Sequence, residues 1–151
     1  MEEVKEKLDV LSGALKTLED GIEYFYECQE VFDNNPDKHN ERAFLSARDS
    51  LIQRFEYCID LFCKITRSYL ELFEKITLSA NSPRAILREG IEARLLSEDE
   101  GMRGMKMVEA RNKTSHTYHE VMADEIAAEI PAFYELMKTI TDRMQNRLKQ
   151  N

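Results

Sequence analysis

The chain has 151 residues, and its 42% hydrophobic and 33% charged content excludes a disordered tail. No stretch approaches the roughly 18–20 uninterrupted apolar residues of a membrane span. The net charge of −8 lies in residues 1–41, which hold 12 acidic and 4 basic residues, so a nucleic-acid site is expected elsewhere. We expect one domain over residues 1–151.

The first predicted helix covers the N-terminal part of the chain up to Asp33. Its apolar positions alternate at spacings of four and three, as on one face of an amphipathic helix. These positions are Val4, Leu8, Leu11, Leu15, Leu18, Ile22 and Phe25. The run Asp33-Asn34-Asn35-Pro36-Asp37 is predicted to end the helix, because Asn and Asp favour turns and proline disfavours helix at the residue before it.

The second predicted helix spans about residues 40–76, roughly 55 Å at 1.5 Å per residue. Its apolar row contains one polar residue, Arg48. Such a helix offers more apolar surface than one partner of ordinary length covers, so we expect a homodimer.

Three further helices complete an all-α prediction. Ser82-Pro83 reads as an N-cap followed by proline at the first helical position, starting a helix that runs to about Leu96. A short helix follows over residues 98–111, and a long one begins at about Tyr118. The predicted fold is an up-and-down bundle of about five helices with two long core helices.

Cysteine and histidine usage predicts no metal or disulfide chemistry. Cys28, Cys58 and Cys63 are an odd set without CxxC spacing, which indicates reduced core thiols. His119 follows His116 by three residues, but no carboxylate or cysteine completes a metal site. We expect no metal and no cofactor. Since the N-terminus also lacks a secretory signal pattern, a cytoplasmic location is expected.

Residues 111–118, Arg-Asn-Lys-Thr-Ser-His-Thr-Tyr, hold the residues best suited to chemistry. Arginine can bind a phosphate with two hydrogen bonds, and histidine can transfer a proton near neutral pH. On an uninterrupted helix Arg111 and His116 would lie about 140° apart. Because Thr114 and Ser115 favour turns, we expect a bend that brings both side chains to one anion.

A capping box is predicted immediately after this bend. Thr117 would be the N-cap of the last helix and Glu120 its third residue. His116 would then lie beside unpaired backbone N–H groups and the positive end of the helix dipole, which favour a phosphate. The alternative is structural, because arginine and histidine near helix ends are usually surface or capping residues.

The segment Arg111-x4-His116-x-Tyr118 resembles the signature of HEPN domains, in particular the nucleotidyltransferase substrate-binding branch. Arg48-Asp49-Ser50-Leu51-Ile52-Gln53-Arg54-Phe55-Glu56 is similar to the second-helix segment of that branch, and Ser82-Pro83-Arg84 to the start of its third helix. The chain lacks the tryptophans common in the branch. The resemblance implies an all-α homodimer, with two motifs facing each other across a cleft, encoded beside a minimal nucleotidyltransferase (MNT).

The resemblance also implies a toxin of an MNT–HEPN toxin–antitoxin pair, acting as a metal-independent endoribonuclease. His116 would transfer a proton, Arg111 would hold the phosphate and Asn112 would position either group. Lys113, Ser115 and Thr117 would assist phosphate binding. The partner nucleotidyltransferase would neutralise the toxin, with AMP transfer to Tyr118 as one route.

A non-catalytic subunit is the alternative function. The dimer cleft would then hold a nucleotide or a substrate of the partner nucleotidyltransferase, with RNA as the occupant only in the toxin reading. The net charge of −8 favours the subunit, since a ribonuclease needs a wider basic track. No DNA and no membrane partner is expected. A third reading is a helical dimer whose motif merely caps a helix.

Overall fold

The computed structural model describes residues 1–116 and 119–151 and, for His116, the backbone alone. The described part of the chain is all α-helical, without a strand, as the sequence predicts. The helices are α1 (Glu2–Asn34), α2 (Lys38–Leu72), α3 (Pro83–Glu92), α4 (Glu98–Lys113) and α5 (Glu120–Lys149). A 3₁₀ turn, Thr114–His116, follows α4. None of the helices in this part of the chain has the length and hydrophobicity needed to cross a membrane.

Two of the helix boundaries predicted from the sequence are confirmed. α1 ends at Asn34, before Pro36, and the Asp37 side chain caps α2 by accepting from the Asn40 backbone N–H at 2.8 Å. Ser82 caps α3 in the same way, with Pro83 at the first helical position.

The three long helices run side by side. α1 and α2 are antiparallel, since Phe25 packs on Phe44 while Lys7 at the other end reaches Ser68. α5 is antiparallel to α1 and runs in the same direction as α2, where Phe55 stacks on Phe133 with ring centroids 5.6 Å apart. The buried apolar residues of all five helices form one core. The short helices α3 and α4 carry the chain back from the end of α2 to the start of α5.

Two predicted helix ends were wrong because the apolar pattern continues past the helix. α2 ends at Leu72, not at about residue 76, and Lys75 takes a positive φ of 59°. α3 ends at Glu92, not at Leu96, and Arg94 has a φ of 56°. Leu96 is nevertheless buried, and its N–H bonds back to the Gly90 carbonyl at 3.1 Å. Apolar residues in a folded-back helix terminus therefore mimic one more helical turn.

The start of α5 also differs from the prediction. The helix begins at Glu120 with His119 in the N-cap position, not at Tyr118 with Thr117 as the cap. The Glu120 carboxylate accepts a hydrogen bond from Arg48 at 2.6 Å. This tertiary contact uses the carboxylate that the predicted capping box required. Thr117 and Tyr118 themselves lie outside the described residues.

Candidate functional site

The motif lies where α4 ends and the 3₁₀ turn begins. The Thr114 hydroxyl is 2.7 Å from the Arg111 carbonyl, a side-chain bond that competes with continued helix. The chain therefore turns directly after Lys113, within the segment where the sequence predicts a bend. Arg111 is left on the last turn of α4, facing α2.

Arg111 is held by two carboxylates of α2. Its Nε and Nη2 donate to the two oxygens of Asp60, each at 3.0 Å, and its Nη1 donates to Glu56 at 2.9 Å and to the Thr114 hydroxyl at 2.8 Å. Glu56 and Asp60 are four residues apart and so lie on one face of α2. The bond and charge of Asp60, followed by the charge of Glu56, raise the arginine pKa, although partial burial opposes this.

A second arginine, Arg48 of α2, binds the start of α5, which follows the motif. Arg48 is 2% exposed and donates to Asp49 at 3.1 Å, Glu120 at 2.6 Å and Asp124 at 3.0 Å. Burial opposes the charge of Arg48, but the three carboxylates outweigh it and raise the arginine pKa. The Arg48 bond lowers the pKa of Glu120. Helix α2 therefore holds both the end of α4 and the start of α5.

A groove opens beside Arg111, between α2, α4 and the start of α3. Its volume is about 410 Å³, within the usual range for small-molecule sites. Apolar and polar residues line it in equal number. The apolar lining residues are Ile59, Cys63, Pro83 and Val108, and the polar ones are Asp60, Arg111, Asn112 and Ser115.

The structure brings three of the predicted site residues to this groove. Arg111, Asn112 and Ser115 line it, whereas Lys113 is exposed and is not part of the lining. The backbone of His116 closes the 3₁₀ turn, but its side chain, like Thr117 and Tyr118, lies outside the described residues. Convergence of Arg111 and His116 on one anion therefore stays a prediction.

The sequence does not indicate the groove, because Ile59, Cys63 and Val108 are ordinary apolar residues of amphipathic helices. Three carboxylates of α2 lie near the motif, those of Glu56, Asp60 and Asp49. The first two contact Arg111, while Asp49 pairs with Arg48. The spacing of four residues between Glu56 and Asp60 indicates that both carboxylates lie on one face of α2. Nothing in the sequence indicates that they pair with Arg111, which is more than 50 residues away.

Cys63 lines the groove, and its thiol is unsuited to nucleophilic chemistry. Burial, followed by the charge of Asp60, raises the pKa of the Cys63 thiol to about 12, so the thiol stays protonated and is a poor nucleophile. Among the side chains that the structure describes, which leave out those of residues 116–118, no three of His, Cys, Asp or Glu are grouped to hold a metal ion.

The sequence of the chain matches a known protein family. Residues 6–146 match the family model described as nucleotidyltransferase substrate binding protein like, and the chain belongs to this family. No curated protein matches the chain significantly.

Two solved structures are similar in fold. A protein from Thermus thermophilus is 30% identical with a TM-score of 0.70, over 89% of this chain and 98% of that one. HI0074 from Haemophilus influenzae is 24% identical with a TM-score of 0.75. Its structure is described as revealing the fold of a substrate binding domain of a nucleotidyltransferase. That match covers 91% of this chain and 98% of HI0074.

Proposed function

We propose that this chain is the substrate-binding subunit of a nucleotidyltransferase complex and that the groove beside Arg111 holds the substrate. The observation that carries the proposal is the groove itself, which is lined by both apolar and polar residues and lies in the volume range of ligand sites. The family and the described fold of HI0074 support the partner class. In this role the chain binds and orients, and the partner performs the transfer.

The charge around Arg111 supports binding over phosphate chemistry. A ribonuclease needs Arg111 to stabilise negative charge on the scissile phosphate. Here the guanidinium is paired with Asp60 and Glu56, two carboxylates for one arginine. These carboxylates repel a polyanion such as RNA, so the subunit function takes precedence over the toxin function.

The HEPN endoribonuclease remains the second candidate, carried by the pattern Arg111-x4-His116-x-Tyr118. In that function the RNA 2′-hydroxyl loses its proton and attacks the adjacent phosphorus, the bond to the 5′-oxygen of the next nucleotide breaks, and a 2′,3′-cyclic phosphate and a protonated 5′-hydroxyl result. His116 transfers the proton, and Arg111 leaves Asp60 to hold the phosphate. We also propose that the chain forms a homodimer with two motifs across one cleft, and that the partner transfers AMP to Tyr118. Sedimentation of the purified chain tests the dimer, and mass spectrometry after co-expression with the partner tests the modification.

Blocking the groove tests the subunit function. The chain is mixed with the nucleotidyltransferase encoded beside it, and transfer of labelled nucleotide is measured for the wild type and for Ser115→Trp, which places a large ring at the groove rim. We expect transfer to fall by about tenfold or more, because a misplaced substrate reacts slowly.

Gln53→Trp is the matched control, since it adds the same ring to an exposed position of a different groove, between α1 and α2. Equal transfer by wild type and Ser115→Trp contradicts the subunit function. Degradation of labelled RNA by the wild type, lost in His116→Ala, would instead establish the ribonuclease.

A further inference from the structure

The outer side of α1 carries exposed apolar side chains. The helix packs against α2 and α5 on its other sides. Val10, Tyr24 and Val31 are each more than half exposed. Their spacings are multiples of seven residues, or about two helical turns, so the three side chains form one row. Single exposed apolar residues are common, so the surroundings of this row decide whether it is an interface.

A small acidic pocket, the Tyr24 pocket, lies between α1 and α2. Asp20, Glu23 and Glu27 line it together with Tyr24, and all three acidic residues are exposed. Its volume is about 140 Å³, whereas small-molecule sites usually have about 300 Å³ or more. The Tyr24 pocket is therefore better suited to a single side chain of another protein than to a small molecule.

One basic residue, Arg54 of α2, lines the Tyr24 pocket and is already engaged. Its guanidinium donates to the Thr17 carbonyl at 3.0 Å and lies 3.5 Å from an Asp20 oxygen. The Arg54 side chain also lies against Gly21, where an added Cβ would be 3.0 Å from its Cδ. With three acidic residues and one basic residue, the lining keeps a formal charge of −2.

The negative charge of this region selects among possible occupants. Residues 1–41 carry a net charge of −8, so a second copy placed symmetrically on the same side of α1 would bring like charges together. RNA and anionic lipid are repelled for the same reason. A basic protein surface is attracted instead. An arginine or lysine that enters the Tyr24 pocket would meet carboxylates and a tyrosine ring, and both bind cations.

We propose that the outer side of α1, from Asp20 to Val31, docks a lysine- and arginine-rich surface of the partner nucleotidyltransferase, with one basic side chain of the partner in the Tyr24 pocket. This inference rests on the proposed subunit function and assigns the surface through which the complex forms. The Tyr24 pocket and the groove beside Arg111 have no lining residue in common, so partner binding and substrate binding can be measured separately. Gln53 lines a neighbouring groove and not the Tyr24 pocket.

The dissociation constant of the complex with the nucleotidyltransferase encoded beside the chain tests the inference. For Tyr24→Ala we expect binding to weaken by about tenfold, because a tyrosine that anchors an interface carries much of the binding energy. For the double variant Glu23→Gln and Glu27→Gln we expect a similar loss at about 50 mM salt. Its affinity should also depend less on salt than that of the wild type, because the removed carboxylates supply the attraction that salt screens.

Two variants are matched controls. Tyr26→Ala removes a half-exposed tyrosine that lies about 160° from Tyr24 around α1. The double variant Glu125→Gln and Glu129→Gln neutralises two exposed glutamates of α5 with the same spacing of four residues. Both controls should bind the partner within about twofold of the wild type.

Three results overturn the inference: unchanged affinity in both α1 variants, an equal loss in the controls, or weaker self-association of Tyr24→Ala in sedimentation, which would place a second copy on this side of α1. If the α1 variants bind the partner normally while Ser115→Trp still slows nucleotide transfer, the docking surface is wrong but the subunit function stands. A wild-type chain that forms no complex with the nucleotidyltransferase contradicts both.

Discussion

The two ends of α4 are held by the same kind of ion pair, but the pairs differ in their surroundings. At the start of α4, Arg143 binds both oxygens of Glu100, at 2.8 and 3.1 Å, and also donates to the Leu95 carbonyl at 2.7 Å. At the end of α4, Arg111 binds Asp60 just as symmetrically, beside an open groove. The Glu100 side chain is 11% exposed and that of Asp60 is 60% exposed.

This difference separates a structural pair from an adjustable one. Glu100 also accepts from the Ser97 backbone N–H in a capping box, so its pair fixes the start of a helix and the loop before it. Asp60 bonds to Arg111 from a largely exposed position, and solvent can replace it there at small cost. The stable end of α4 supports the fold, and the adjustable end borders the candidate site.

Replacing Arg143 should have the largest effect on stability. Arg143→Met removes both bonds to Glu100 and leaves the Leu95 carbonyl without this donor. We expect the free energy of unfolding to fall by about 2–3 kcal/mol. Urea denaturation measures the loss, with Arg103→Met as the matched control.

Arg103 makes an exposed pair with Asp99 in the same helix, so its replacement should cost less than about 0.5 kcal/mol. A loss of similar size in both variants would contradict the structural role of Arg143.

Lowering the pH should weaken the pair between Arg143 and Glu100. The bond from Arg143 lowers the pKa of Glu100 from 4.5 to about 2 with help from the bond of the Ser97 backbone N–H, although burial raises the pKa. Because the folded-state pKa is depressed, this stabilisation is present above pH 4.5 and is lost as the pH falls toward 2. Because solvent around Arg143 weakens the pair, we expect the ionised Glu100 to contribute about 2 kcal/mol to the free energy of unfolding at neutral pH.

The difference in unfolding free energy between wild type and Glu100→Gln, measured at about pH 7, 4.5 and 3, isolates this contribution from that of the other carboxylates. The difference should shrink steadily below pH 4.5. A difference that stays constant down to the lowest pH would mean that Glu100 is not held as described.

Arg48 occupies a position between the two extremes, since its guanidinium is buried but its three carboxylates are largely exposed. In Arg48→Met the carboxylates can be hydrated, so we expect a moderate loss of about 1–2 kcal/mol. Hydrogen exchange should become faster in the first turns of α5, where Glu120 and Asp124 lie, and not at its C-terminal end. Uniformly faster exchange along α5 would contradict a local anchor.

Asp60→Asn should have the smallest effect on stability, under about 1 kcal/mol, because the lost carboxylate is exposed and Glu56 still holds Arg111. Asp142→Asn is the matched control, because it removes an exposed carboxylate paired with Lys138 on α5, and the thermal unfolding of the two variants should agree closely. A loss as large as that of Arg143→Met would place both ends of α4 in the same structural class and remove the contrast between them.

The helices were predictable because their signals are local. The apolar spacing in α1, the break before Pro36 and the Ser82-Pro83 start each depend on neighbouring residues and are confirmed. The capping box of α4 had an equally local signal, Ser97 followed three residues later by Glu100, which our reading of the sequence did not use.

The site was less predictable because its geometry is tertiary. Arg111 meets Glu56 and Asp60 across more than 50 residues, and Arg48 meets Glu120 and Asp124 across more than 70. No periodicity encodes such pairs. Glu120 is an example, since the local capping-box pattern pairs its carboxylate with the backbone of Thr117, whereas in the fold the carboxylate accepts from Arg48.

The location of ligand binding is the most direct test of the central claim. Methyl-labelled protein is titrated with the nucleotide of the transfer assay, and the resonances of Ile59 and Val108 in the groove are compared with those of Leu51 and Ile130 elsewhere in the core. We predict that the Ile59 and Val108 methyl signals shift with a saturable dependence on ligand while the core signals stay in place. Saturable shifts confined to methyls away from the groove would contradict the account.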